Sequence, residues 1–387
     1  MAAKLALHNP SDYPRGGFVS TPWKPLQEAG IGRDDLVLHY RQGSALRAQI
    51  DDVEPGDPER AVLVFELDGD VGPGPDDYSQ NSGYVTLGQG PQTQLEGGPS
   101  LEVAAEGFKL TNERLSIWFN LAPEDACGYK WRAGSALSVQ LDRGEILDNF
   151  QALGGWEGHD EEKRLQIDRI RLRRPAWDDE SHQDEILIDK PYEIVSRSAG
   201  PVRASVTLAS QPFDHPYRDP ASSQARNLRC RFYRTISLYR GADYLEENLY
   251  LKGVPANAAP GAAAPVSLAF TARYFLHMDL GLLPQITQFT HIPDWLSLGC
   301  DFRPWQGYGF ATDVHAGLVA NPHPGFLGPP DKEDRTFSWE IGSSKAAKCV
   351  HLFCRCRPRH LAHETGRAWY LHVFKPLRAV LVNEETS

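Results

Sequence analysis

This sequence predicts an all-β fold: a large antiparallel β-sandwich preceded by a small N-terminal β domain, with few short helices. Three observations carry that prediction. Apolar residues recur mostly with period two, in short runs rich in Val, Ile, Leu, Tyr and Phe, which is the pattern of half-buried strands. Helical spacing is convincing at only one place. Finally, 34 Gly and 29 Pro in 387 residues fence the runs with turn chemistry.

Taken in order, strands are expected at 36–40, 61–67, 114–121, 136–141, 165–172, 185–189, 201–210, 229–239, 243–253, 265–275, 337–342, 348–356 and 368–375. Alternation such as Arg229, Arg231, Tyr233 against Cys230, Phe232, Arg234 fits antiparallel sheets buried on one side. The segment 144–153 spaces Ile146, Leu147, Phe150 and Leu153 as a short helix would. Breaker-rich stretches at 68–83 and 88–99 set a boundary near 100, giving domains 1–100 and 101–387. The low-complexity run 255–265 reads as a surface loop or linker, and 210–220 as a loop at a sheet edge. The segment 279–335, poor in strands and rich in His, Pro and aromatics, is of the long irregular kind that more often carries function than connects.

Composition narrows the function classes. Forty Lys+Arg against 51 Asp+Glu give a formal charge of −11, a field that repels phosphate backbones, so nucleic acid is not an expected partner. An excess of Arg over Lys fits either a GC-rich genome or the bidentate recognition of carboxylates. No apolar run reaches the ~18 residues of a membrane span, so no membrane partner is expected. The N-terminus lacks the apolar core of a signal peptide, and six scattered cysteines do not form a disulfide framework. These features point to a cytoplasmic protein. Neither a GxGxxG after a strand nor a Walker-type loop occurs, and no cofactor is implied. The sequence leaves homo-oligomerisation open.

The run GPVRASVTLAS (200–210), followed by CRFYRTISLYRGADYLEENLYLKG (230–253), resembles a strand pair of the galactose-mutarotase-like β-sandwich modules of carbohydrate-active enzymes. Segments 36–52 and 61–67 are similar to the small β domain preceding such sandwiches in relatives of exo-acting rhamnogalacturonan lyases. The likeness covers roughly 80 residues. The helical toroid of those lyases has no counterpart. The resemblance implies a sandwich fold and an association with carbohydrate, and no catalytic residue.

Four constellations carry candidate chemistry. In 291–323, Trp295 and Trp305 suit stacking on sugar faces, Arg303 suits a uronate carboxylate, Tyr308 and His315 suit proton transfer, and His291 adds a polar contact. The same residues also fit an aromatic loop packed under a sheet. In 210–220, His215 beside Asp214 is a reserve base, with Tyr217 and Arg218 as substrate contacts; ordinary turn chemistry is the plainer reading. Residues 128–134 and 154–164 could line one cleft, although Glu161 to Arg164 read more simply as a solvated face. Cys349, Cys354, Cys356, His360 and His363 tempt as metal ligands, but a C-x-C spacing on a strand does not converge, so no metal is expected. Glu246 and Glu247 are strand neighbours that point to opposite faces and cannot flank one glycosidic bond. A G-x-S-x-G elbow is absent.

The expected function is therefore a carbohydrate-active enzyme, most simply a lyase performing β-elimination on an acidic, uronate-containing oligosaccharide or glycoside. The alternatives are a glycoside hydrolase using Asp/Glu and a non-catalytic carbohydrate-binding or assembly subunit.

Overall fold

The computed structural model describes residues 3–9, 15–33, 36–41, 45–53, 61–72, 83–90, 97–126, 129–131, 133–141, 165–172, 184–186, 190–218, 225–242, 244–257, 266–268, 270–277, 282–285, 306–310, 314–319, 336–343, 346–355, 367–373 and 378–382. Among them the chain is β throughout, apart from one short helix, Lys24–Glu28. The all-β prediction holds. The strands form sheets of seven, ten and nine members, with a separate two-stranded ribbon of Glu124–Ala126 and Tyr129–Trp131.

The first sheet runs Leu36–Tyr40, Gly83–Gln89, Lys4–His8, Arg378–Val382, Arg15–Pro22, Ala61–Val71, Ala48–Asp52. Its C-terminal member lies antiparallel to Lys4–His8 and parallel to Arg15–Pro22, so the two ends of the chain close one sheet. Period-two alternation sends Leu36, Leu38 and Tyr40 inward while Val37 and His39 are half-buried. They meet Leu5, Leu7, Val19, Leu63, Phe65, Val85 and Ala379 in one apolar cluster. Trp23, which caps the helix, and Leu26 within it complete the cluster; with Pro25 in the first turn, where a missing N–H costs nothing, five residues suffice for this plug.

The second sheet runs Gln306–Phe310, Val314–Val319, Thr336–Ser343, Phe270–His277, Leu165–Leu172, Ala136–Leu141, Leu115–Asn120, Gly107–Thr111, Ser100–Val103, with Asp184–Ile186 also on Leu165–Leu172. The third runs Glu193–Ala199, Arg203–Ala209, Ala225–Tyr239, Tyr244–Pro255, Ala346–Arg355, Arg367–Val373, Leu282–Gln285. Phe213–Arg218 and Val266–Ser267 pair with its two long central strands. Facing residues of these two sheets form a sandwich core. Phe108 stacks on Phe119 at 5.0 Å, and Leu110, Ile117, Val206, Leu208, Phe232, Ile236, Leu238 and Leu249 are all buried. Each such side chain contributes ~1.5–3 kcal/mol. The Asn112 amide ties the layers at one end, donating to the Ala242 carbonyl at 2.8 Å.

Two expectations need correction. Residues 213–218 form a strand, not a loop, paired from Phe213↔Cys230 to Arg218↔Ala225. Pro216 and the acidic neighbours read as turn chemistry, yet a strand paired on one side tolerates proline. Likewise 279–335 contains the strands Leu282–Gln285, Gln306–Phe310 and Val314–Val319. There the alternating glycines of QGYGF resemble breakers in sequence. The expected helix at 144–153 and the run from 258 to 265 lie outside the described residues.

Candidate functional site: a polar sheet face

The central strands of the third sheet present two unlike faces. Pairing is unbroken from Arg203↔Tyr239 to Ala209↔Tyr233 and from Leu228↔Pro255 to Leu238↔Leu245, so the parity of every side chain is fixed. One face carries Ala204, Val206, Leu208, Phe232, Ile236, Leu238, Leu245, Leu249 and Leu251, the sandwich core. The other is lined in register by Ser205, Ser237 and Glu246; by Thr207, Thr235 and Asn248; and by Ala209, Tyr233 and Tyr250. Arg231 and Lys252 follow, paired with each other.

That second face is polar but sheltered. Ser205, Thr207, Thr235, Ser237 and Glu246 are buried, whereas Asn248, Arg231 and Lys252 are half-buried. Thr207 and Thr235 share a hydrogen bond of 3.0 Å. The Ser237 hydroxyl is buried and has no hydrogen-bond partner among the described residues. A buried hydroxyl left unsatisfied costs ~1–3 kcal/mol. Tyr233 and Tyr250 stack at 4.9 Å with 5° between their planes, and the Lys252 ammonium lies 5.8 Å from the Tyr250 ring centroid. Arg231 is held by the Ser210 carbonyl at 2.9 Å and by the Glu193 carboxylate.

The first sheet closes one end of this face. Asp51 accepts from Arg203 Nε at 2.6 Å, from Ser198 Oγ at 2.6 Å and from Gln49 Nε2 at 2.7 Å. Gln49 Oε1 in turn accepts the backbone N–H groups of Val202 and Arg203. Phe18 stacks on Tyr239 at 4.4 Å, with Val64 and Val202 alongside. Arg203 Nη1 donates to the Tyr239 hydroxyl at 3.1 Å, which donates to Glu246 Oε1 at 3.1 Å. Burial and the nearby Glu246 push the Tyr239 phenol well above its usual range, so it stays a proton donor. Desolvation opposes the charge of Arg203, but Tyr239, Asp51 and Glu246 outweigh it and raise the group.

The opposite face holds the other glutamate, as the strand alternation requires. Arg234 Nε lies 3.0 Å from Glu247 Oε1, Nη2 also reaches that oxygen, and Nη1 reaches the Gly134 carbonyl in the turn that leads into Ala136–Leu141 of the second sheet. Arg234 sits 6.0 Å from the centre of the Phe119 ring. This pair is sealed inside the core and offers nothing to a ligand.

The residues singled out from sequence fall as follows. His291, Trp295, Arg303 and Trp305 lie outside the described residues, as do Cys356, His360 and His363. Tyr308 and His315 occupy neighbouring strands of the second sheet, Tyr308 opposite Gly317 and His315 opposite Phe310. His215 is buried, pairs with Leu228, and so belongs to the core-facing side of the third sheet with Leu228, Cys230 and Phe232. Tyr217 and Arg218 pair with Arg226 and Ala225 farther along the same strand. Asp214 is exposed, 3.9 Å from Arg229. Thus the 308–315 pair and the 213–218 strand belong to different sheets. The polar face itself escaped the sequence reading. Its signal is the in-phase alternation Arg203, Ser205, Thr207 with Tyr233, Thr235, Ser237, Tyr239 and Glu246, Asn248, Tyr250, Lys252 on successive strands.

No family model matches the chain, and no curated protein matches it. Among solved structures it is similar to a glycosyl hydrolase family 38 protein from Enterococcus faecalis, with TM-score 0.36 and 11% identity over 88% of this chain and 44% of that one. It is also similar to an alpha-mannosidase from Enterococcus faecalis V583, with TM-score 0.37 and 12% identity over 90% of this chain and 43% of the other. The chain spans less than half the length of either. Likeness at this level fixes neither a family nor an activity. Neither of the two is described as a rhamnogalacturonan lyase. No helix among the described residues is long and apolar enough to cross a membrane.

Proposed function

We propose that this is a carbohydrate-active protein whose saccharide lies on the polar face of the third sheet. The observation that carries the reading is the face itself: hydroxyl, amide and carboxylate groups of three consecutive strands in register, beside a stacked tyrosine pair, on a sheet whose reverse is apolar core. Sugars demand that combination, because their hydroxyls need paired donors and acceptors while their C–H faces pack on aromatic planes.

Titration calorimetry with tetragalacturonate and cellotetraose tests this. The reading expects binding of at least one of them, weakened about tenfold or more when Asn248→Ala and Thr235→Val are combined. Unchanged affinity in that double variant would overturn the assignment of the face.

A second, separate reading places catalysis on the second sheet, apart from the polar face. Positions 308 and 315 lie two residues apart in register on adjacent strands, with the same parity. A tyrosine and a histidine so placed suit proton removal and delivery in β-elimination from a uronate, with Arg303 as its carboxylate partner. Absorbance of an unsaturated product should then appear with tetragalacturonate and vanish in the Tyr308→Phe, His315→Ala variant. Reducing-sugar release without that chromophore would point to hydrolysis instead.

A further inference from the structure

The first sheet also contributes to the geometry of the proposed site. Asp51 belongs to the strand Ala48–Asp52, yet it is 1% exposed and bonded to Arg203 of the third sheet. The bonds have a fixed direction. Arginine can only donate, so the Tyr239 oxygen must accept from Arg203. The phenol has a single proton, and it is then left for Glu246. A directed chain results, from the Asp51 carboxylate through the Arg203 guanidinium and the Tyr239 hydroxyl to the Glu246 carboxylate.

We infer that Asp51 is a positioning residue that acts on Glu246 through Arg203 and Tyr239, so that the first sheet helps to set the polar face. This rests on the saccharide reading only for its consequence in binding; the chain of bonds stands without it. The physical basis is charge balance. With Asp51 ionised, the charge of Arg203 is met from the first sheet, and Glu246 takes hydrogen bonds from the neutral donors Tyr239 and Asn248. Without the Asp51 charge, Glu246 becomes the principal acid facing the guanidinium. The Arg203–Tyr239 pair is then drawn toward it, and the carboxylate is turned from the face it shares with Ser237 and Asn248. Asp52, the next residue, is a natural control, because it is exposed and pairs with Arg33 at 2.8 Å.

Two measurements test the inference. In protein carrying 3-fluorotyrosine, the ¹⁹F resonance of Tyr239, assigned by Tyr239→Phe, should move in both Asp51→Asn and Glu246→Gln but stay in place in Asp52→Asn. In the combined Asp51→Asn, Glu246→Gln variant the two shifts should not add. With tetragalacturonate or cellotetraose, Asp51→Asn should weaken binding about tenfold in the wild-type background and less than about twofold once Glu246→Gln is present. A loss of fold alone would not depend on residue 246 in this way. An additive pair of ¹⁹F shifts, or a full tenfold loss in the Glu246→Gln background, would overturn the inference. If the wild type binds neither saccharide, the functional reading fails while the ¹⁹F result still decides the positioning role.

Discussion

Truncating Glu247 to alanine leaves a guanidinium inside a hydrocarbon core, and the size of the penalty can be worked from the structure. Arg234 is 0% exposed and Glu247 1% exposed, with 3.0 Å from Nε to Oε1. At that separation, and with an effective dielectric near ~20, the attraction is ~5 kcal/mol. Losing one partner of a buried pair typically costs ~3–5 kcal/mol, because the survivor stays desolvated. Glu247→Ala should therefore lower the guanidinium unfolding free energy by ~4 kcal/mol, read from tryptophan fluorescence with the slope unchanged. Replacing both residues, as Arg234→Met with Glu247→Leu, should recover most of that loss, since an apolar pair of similar volume suits a site flanked by Phe119, Phe232 and Leu249. A Glu247→Ala variant within ~1 kcal/mol of wild type would refute the reasoning, for it would mean that water or another acid reaches Arg234.

Three further outcomes follow from the same packing. Gly134 adopts φ +75°, and a Cβ there would stand 2.7 Å from Arg234 Nη1 and 3.1 Å from the Tyr192 ring, so Gly134→Ala should cost ~1–3 kcal/mol in the same assay. Deleting residues 376–387 removes the strand between Lys4–His8 and Arg15–Pro22, and amide exchange of those two strands should accelerate sharply; unchanged protection would contradict the closure of the first sheet. Burial, with Asp214 adding to it, pushes the Cys230 thiol up to about 12, so iodoacetamide at pH 8.5 should label it only after unfolding, as mass spectrometry would show. The sign for stability follows. The unfolded thiol ionises from about pH 9 while the folded one holds its proton, so this contribution is complete below that pH and is lost as pH rises toward about 12.

Much of the fold was legible because strand periodicity is local. Leu36–Tyr40, Ala136–Leu141 and Leu165–Leu172 match their expected bounds. What escaped was of two kinds. Short strands such as Lys4–His8 and Arg378–Val382 acquire their identity by pairing, with each other across nearly the whole chain and with Gly83–Gln89 and Arg15–Pro22 on their outer sides. Phe213–Arg218 and Gln306–Phe310 carry proline or glycine, residues that signal turns unless a neighbouring strand holds them. The opposed facing of Glu246 and Glu247 was readable from parity alone: Glu247 pairs with Arg234 in the core, while Glu246 accepts from Tyr239 on the polar face. The polar face was less readable. Serine and threonine in strands look like solvent-facing residues, and only the cross-strand register shows that they line one sheltered surface. Asp51 gave no local signal, because its partner Arg203 lies 152 residues away.

The central claim is that a saccharide occupies the polar face, and a crystal structure with tetragalacturonate or cellotetraose tests it most directly. The account predicts sugar hydroxyls within hydrogen-bond distance of Asn248 and Glu246, with a ring against the Tyr233–Tyr250 pair. Density for the sugar elsewhere on the molecule, with this face unchanged, would contradict it.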